Sequence, residues 1–356
     1  MNTHKNELTI NIGGLESVAS VYMHTSKGLA EFSRRWNAGE TPIINWDIRD
    51  IHIGKINVAA LSFFLAISHR VKHFNSCPQS CMINWNPQIF GFLSDIDFFK
   101  IANTYNLIEW PYEIGGYESG KTNPNTKILS CDPLFNAPSP NELQQISNFK
   151  KVHREHYRQY IIDRCESLFA KSDNGLFGDN FPLIMSRTCA EIATNSLLWG
   201  KLTPFLGLQR SSKFITISVA DIGEGFRNSF IAKNQFVELL QKENHDIHAV
   251  ALGSVVNDLG LGLKRAISTV LKFNGSISIT SNTGEIYWNR PMWQKFVDLY
   301  EKNGAELALA GLPEQIYRAE YADKQNGYTR IWNNSIRGSR IIFTIPLEKD
   351  GINRNG

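Results

Sequence analysis

Cysteine is scarce in this chain, and so is net charge. Of 356 residues five are cysteine: Cys77, Cys81, Cys131, Cys165 and Cys189. An odd, scattered handful implies no disulfide framework. Cys77 and Cys81 lie close together, but no Cys/His pair at ligand spacing accompanies them, so no zinc site is expected. Lys plus Arg total 37 against 34 for Asp plus Glu. That surplus is too small to argue for nucleic acid or an anionic membrane. Long hydrophobic runs are missing too. The longest, over 58–67, falls short of the ~20 residues that span a bilayer. The start, MNTHKNELTI, lacks a basic segment leading into an apolar one, so no secretory signal is expected. The expected location is a reducing cytoplasm. What remains is the composition of a globular protein, 42% hydrophobic and 20% charged, with a length that suggests two domains.

The chain begins its readable pattern at residue 43. IINWDIRDIHI (43–53) alternates in strand fashion. Asn57 is the expected N-cap of an apolar helix through VAALSFFLAISHRV, and CMINWN (81–86) reads as a second strand. PQIFGFLSDIDFFKIANTY then reads as one helix with Pro87 near its start. Strand, helix, strand, helix predicts a small α/β unit with a parallel sheet. Residues 111–141 are rich in Gly, Pro, Asn and Ser, which places a domain boundary near 138. Beyond it, helices are expected over 141–171 and 181–201, and a buried strand over 214–226 ending in a glycine turn. A polar segment with one helix follows, then a glycine turn at DLGLGL, a helix ending near Asn274, and strands at SISITS and 339–347.

GGYESGKT (115–122) fits G-x-x-x-x-G-K-[ST], the pattern of a phosphate-binding P-loop. Such a loop needs a strand before it and a helix starting at the Lys-Thr. NPNTKILSCDP follows instead, with Pro124 holding Asn123 extended. The expected reading is a connecting loop, with Lys121 uninvolved in nucleotide binding.

Three other segments carry chemistry together. In EIATN, Glu191 and Asn195 share one helix face. A carboxylate there can take a proton from water, and an amide oxygen suits Mg²⁺. Asp221-Ile-Gly223-Glu-Gly225 ends a strand, where a carboxylate can accept from an adenine amino group. Gly260-Leu261-Gly262-Leu263 opens a helix whose free N–H groups suit phosphate. The order and spacing of EIATNSLLWGK, VADIGEGF and NDLGLGLKRA resemble the N-box and two glycine boxes of the GHKL superfamily of ATPases. NGSISITSNTG and GSRIIFTIP resemble its closing strands, and residues 285–337 match nothing in it.

The resemblance implies an α/β fold: a GHKL (Bergerat) α/β sandwich with a mixed sheet over 139–356, binding ATP with Mg²⁺. Glu191 would be the general base and Asn195 the Mg²⁺ ligand. Asp221 would hold adenine, Gly223 and Gly225 would shape the pocket, and 226–259 would form a mobile lid. Gly260, Leu261 and Gly262 would meet the phosphates, with Lys264 either near them or solvated, and Ser339 would stand where the family often has Thr. Residues 1–138 resemble a STAS domain (sulphate transporter and anti-sigma-factor antagonist), a smaller βαβα unit. Its first helix starts at HIGKINVAA without a hydroxyl residue, and Ser62 is expected to be packed, which implies docking rather than phosphorylation. The expected function is an ATP-binding switch that hydrolyses slowly and changes contacts with its N-terminal domain, a protein partner or a second copy. The alternatives are a serine/threonine kinase of the anti-sigma-factor type acting on a partner, and an ATP sensor without turnover. A histidine kinase would need an acceptor such as His153 or His156, and neither has the acidic neighbour such helices carry.

Overall fold

The computed structural model describes residues 6–111, 121–131, 154–173, 178, 180–199, 203–241, 246–256 and 262–347. It is a mixed α/β protein, with two sheets among the described residues. The smaller contains β1 (Glu7–Asn11), β2 (Ile43–Asp47) and β3 (Gln79–Met82), all parallel, in that order. α1 (Val18–Asn37) joins β1 to β2, and α2 (Val58–Asn75) joins β2 to β3. Right-handed crossovers moving one way along a sheet put both helices on one face, and α1 and α2 do pack together. Asn57 caps α2 as expected, its side chain accepting from the N–H groups of Ala59 (2.9 Å) and Ala60 (3.3 Å). The single helix expected from Pro87 is two, α3 (Pro87–Asp95) and α4 (Phe98–Thr104). Asp97, in the left-handed region at φ 65°, separates them.

The larger sheet runs β4 (Thr126–Ser130), β5 (Phe205–Arg210), β6 (Phe214–Asp221), β9 (Tyr328–Pro346), β7 (Ser276–Trp288), with antiparallel pairs throughout. The two-residue β8 (Gln315–Ile316) pairs parallel with β9. β4 belongs to this sheet although the sequence puts it in a linker, so sheet membership changes before residue 126 rather than near 138. β9 and β7 are far longer than the expected closing strands. Much of the unmatched stretch 285–337 is their extension, with α11 (Arg290–Asn303) and α12 (Ala305–Ala310) between them.

Side chains alternate across the larger sheet. Ile215, Ile217 and Val219 of β6, and Ile341, Phe343 and Ile345 of β9, face a helical layer. That layer contains α5 (Arg154–Asp173), α6 (Phe181–Trp199), α9 (Ile247–Val255) and α10 (Leu263–Lys272). Between β6 and α9 lie α7 (Gly225–Ala232) and α8 (Val237–Gln241). The span 226–259, expected as a mobile lid with one helix, holds three helices among its described residues, and every residue of α9 except His248 is buried in the core. The buried Gly253 leaves room for the Phe226 ring.

The opposite face of the larger sheet is covered by α1 and α2. Phe205 and Ala220 share a core with Leu61, Phe63, Phe64 and Trp46. α2 is therefore buried by the small sheet on one side and the large sheet on the other, which explains why it is apolar all round. Gly207 of β5 makes the approach possible: a β-carbon there would meet the Val58 carbonyl at 2.9 Å. The start of α2 is tied to the same strand. Val58 N–H donates to Gln209 Oε1, and Gln209 Nε2 donates to the Ile56 carbonyl, both at 3.2 Å. Ser62 is fully buried and bonded to Ser218 (2.9 Å), packed as expected.

Candidate functional site

The helical face of the larger sheet gathers the three segments. α6 carries Glu191, Asn195 and Ser196 along the edge where β6 ends. Asp221, the last residue of β6, is 3% exposed. Its Oδ1 accepts from Gly223 N–H at 2.9 Å, and its Oδ2 accepts from the Ser339 hydroxyl. Ser196 supplies a further hydrogen bond from α6. The Asp221–Ser339 pair follows from register, because the two residues sit opposite each other on β6 and β9. Burial raises the Asp221 carboxyl above the usual range, opposed by Ser339, Gly223, Ser196 and the charge of Arg340. An ionised carboxylate has about four acceptor sites, so one remains for a ligand's donor.

One turn before Asn195, the Glu191 carboxylate is divided between two neighbours. Oε1 accepts from Arg158 Nη2 of α5 at 2.7 Å, and Oε2 lies against the backbone of Gly262. A side chain at position 262 would strike that oxygen. Asn195 is 4% exposed, and its Oδ1 has no hydrogen-bond donor among the described residues. A buried acceptor left so is costly unless a ligand or ion completes it. A hard oxygen in that state fits Mg²⁺.

Gly225 opens α7 at φ 75°, a conformation that favours glycine. A β-carbon there would meet the side chains of Ser281 and Asn282, and the Phe226 N–H bonds Ser281 Oγ at 3.1 Å. Gly262 stands at the N-cap of α10. Gly260 and Leu261 lie outside the described residues, as do His153 and residues 115–120 of the P-loop-like stretch. Lys121 and Thr122 are exposed and lead into the strand β4, not a helix, which removes the context a P-loop needs.

Lys264 is not gathered with the others. Its ammonium pairs with Glu301 of α11 at 2.9 Å. Two residues that the sequence reading passes over do belong to the site. Ser196 follows Asn195 directly and reaches Asp221. Arg158 sits in a helix with several other charged residues, where spacing alone does not single it out.

Beneath Asp221, on the α1/α2 side of the sheet, Arg340 is 1% exposed. Its guanidinium lies 5.1 Å from the Tyr22 ring centroid and 4.8 Å from that of Phe63. The Tyr22 hydroxyl is 2.5 Å from the Asn282 carbonyl and 2.6 Å from that of Asn334, and accepts from Ile336 N–H at 2.9 Å. Thus α1 is fastened to the strands that hold Ser339 and back Gly225. Among the described residues no cluster of His, Cys, Asp and Glu could hold a metal, and no helix is long and apolar enough to cross a membrane. No protein-family model matches this chain, and no curated protein or solved structure matches it either.

Proposed function

We propose that this chain is an ATP-binding regulatory protein of the GHKL type, with a STAS-like unit docked on its own nucleotide-binding half. The observation that carries this reading is the convergence of separated segments on one edge. A buried carboxylate, Asp221, is held by Ser339 and Ser196 beside an amide oxygen, on Asn195, that lacks a donor. Glu191 lies one helical turn away, against the glycine that opens α10. In this reading Asp221 accepts from the adenine amino group, and the α10 N-terminus faces the phosphates. Asn195 Oδ1 would hold Mg²⁺, which when bound supplies positive charge to the phosphates. Glu191 takes the proton as water attacks the terminal phosphorus and the bond to the bridging oxygen breaks. Arg158 holds that carboxylate in place.

The N-terminal unit lies on the far face of the sheet from α6 and α10. Changes at the pocket would therefore reach it through Asp221–Ile222 and Ser339–Arg340, not by direct contact with α6. With Ser62 buried and bonded, this unit serves as a docking surface and not as a phosphate acceptor.

ATP titration calorimetry and phosphate release test the assignment. Asp221→Asn is expected to lose binding. Glu191→Ala is expected to keep binding and lose turnover by about 100-fold or more. Undiminished turnover in Glu191→Ala would remove the base. Label appearing on a partner protein from a cell extract, instead of free phosphate, would favour the kinase reading.

A further inference from the structure

A second cleft lies on the opposite side of the larger sheet from Glu191 and Asn195. It encloses about 490 Å³ between α1, α2, the turn after β6 and residues 335–337 of β9. That is the size of a small-molecule site. Two arginines line it, Arg70 of α2 and Arg337 of β9. Arg70 Nη1 donates to the Ile222 carbonyl at 2.7 Å, which fixes its guanidinium at the cleft wall. Burial and the like charge of Arg337 pull Arg70 down to about 10, and Glu224 opposes them. These three charges leave the cleft net positive. Its other wall is apolar, formed by Leu29, Phe32, Trp36, Ile67 and Val71. The half-buried Trp36 ring stacks on the buried Phe32 ring, centroids 6.2 Å apart.

Arg70 and Arg337 line one concave space, where their like charges disfavour each other. An anion placed between them removes the repulsion and can be gripped through paired N–H donors. We infer that this cleft binds a small organic anion: a phosphate or carboxylate held by Arg70 and Arg337, on a flat apolar body laid against Trp36. The site is separate from the nucleotide pocket, because the Asp221 and Ser339 side chains face α6 on the other side of the sheet. It stands independently of the ATP reading.

Calorimetric titration of the full chain with phenyl phosphate, and separately with benzoate, tests this. At least one is expected to bind saturably. Phenyl phosphate alone would mark a phosphate site, and benzoate alone or both would mark a more general anion site. Arg337→Glu alters an exposed side chain and is expected to weaken binding by about tenfold or more, while Lys100→Glu, an equal change of charge on α4, leaves it intact. Saturable binding of neither probe would overturn the site. So would binding that survives Arg337→Glu.

Discussion

Burial raises the proton affinity of Asp221 even though three hydrogen bonds and Arg340 act against it. The folded protein therefore holds this proton to a higher pH than the unfolded chain does. The ionised carboxylate destabilises the ligand-free fold above its folded pKa, and the effect fades as pH falls toward the usual carboxylate range. Asp221→Asn should raise the melting temperature of the ligand-free protein at pH 7, by an increment that shrinks in acid. Thermal denaturation across pH checks this, and a lowered or unchanged melting temperature at pH 7 would contradict it. A residue that weakens the empty protein is expected where a ligand completes its bonding. Asp221 was legible because the strand before it is long and apolar and the glycines after it force a turn. Glu191 and Asn195 were legible because four residues make one helical turn. Arg158 was not, since its importance comes from the crossing of α5 over α6. For Lys264, left open between the phosphates and solvent, spacing could not show the partner it has, Glu301, 37 residues on.

At the scale of elements, legibility followed how uniform each element's surroundings are. α2 reads plainly as a helix because every side of it is buried. β1 and α1 escaped notice. The buried residues of α1 include Thr25 and Ser26 beside Val21, Tyr22 and Phe32, so its apolar stripe is interrupted. α9 was placed in a lid because the family resemblance puts one between the glycine boxes, and its nine residues are almost wholly core. Contact between α2 and β5 depends on the bare backbone at Gly207. Gly207→Val would press against the Val58 carbonyl and Ser218 Oγ. Overpacking of this kind costs about 1–3 kcal/mol, so urea denaturation should show a lower midpoint. An unchanged midpoint would mean that α2 has room to move away from the sheet.

For the whole molecule, α2 makes the two sheets one folding unit. Each half needs the other to cover apolar surface, so neither is expected to persist alone. Far-ultraviolet circular dichroism and tryptophan fluorescence should report one coincident unfolding transition. Two separated transitions would show instead that the sheets unfold independently. The core of the smaller sheet takes in Phe205 and Ala220 of the larger, which the sequence did not show because composition does not tell which surface of a helix another unit will cover. The sharing also has an order in time. α2 ends at Asn75 and β5 begins at Phe205, so the second cover of this helix is made about 130 residues later. At roughly 5–20 residues per second, the helix waits on the order of ten seconds beside the ribosome with one flank open. Soluble yield in a cell therefore depends on what shields that flank during synthesis, whatever the stability of the finished fold.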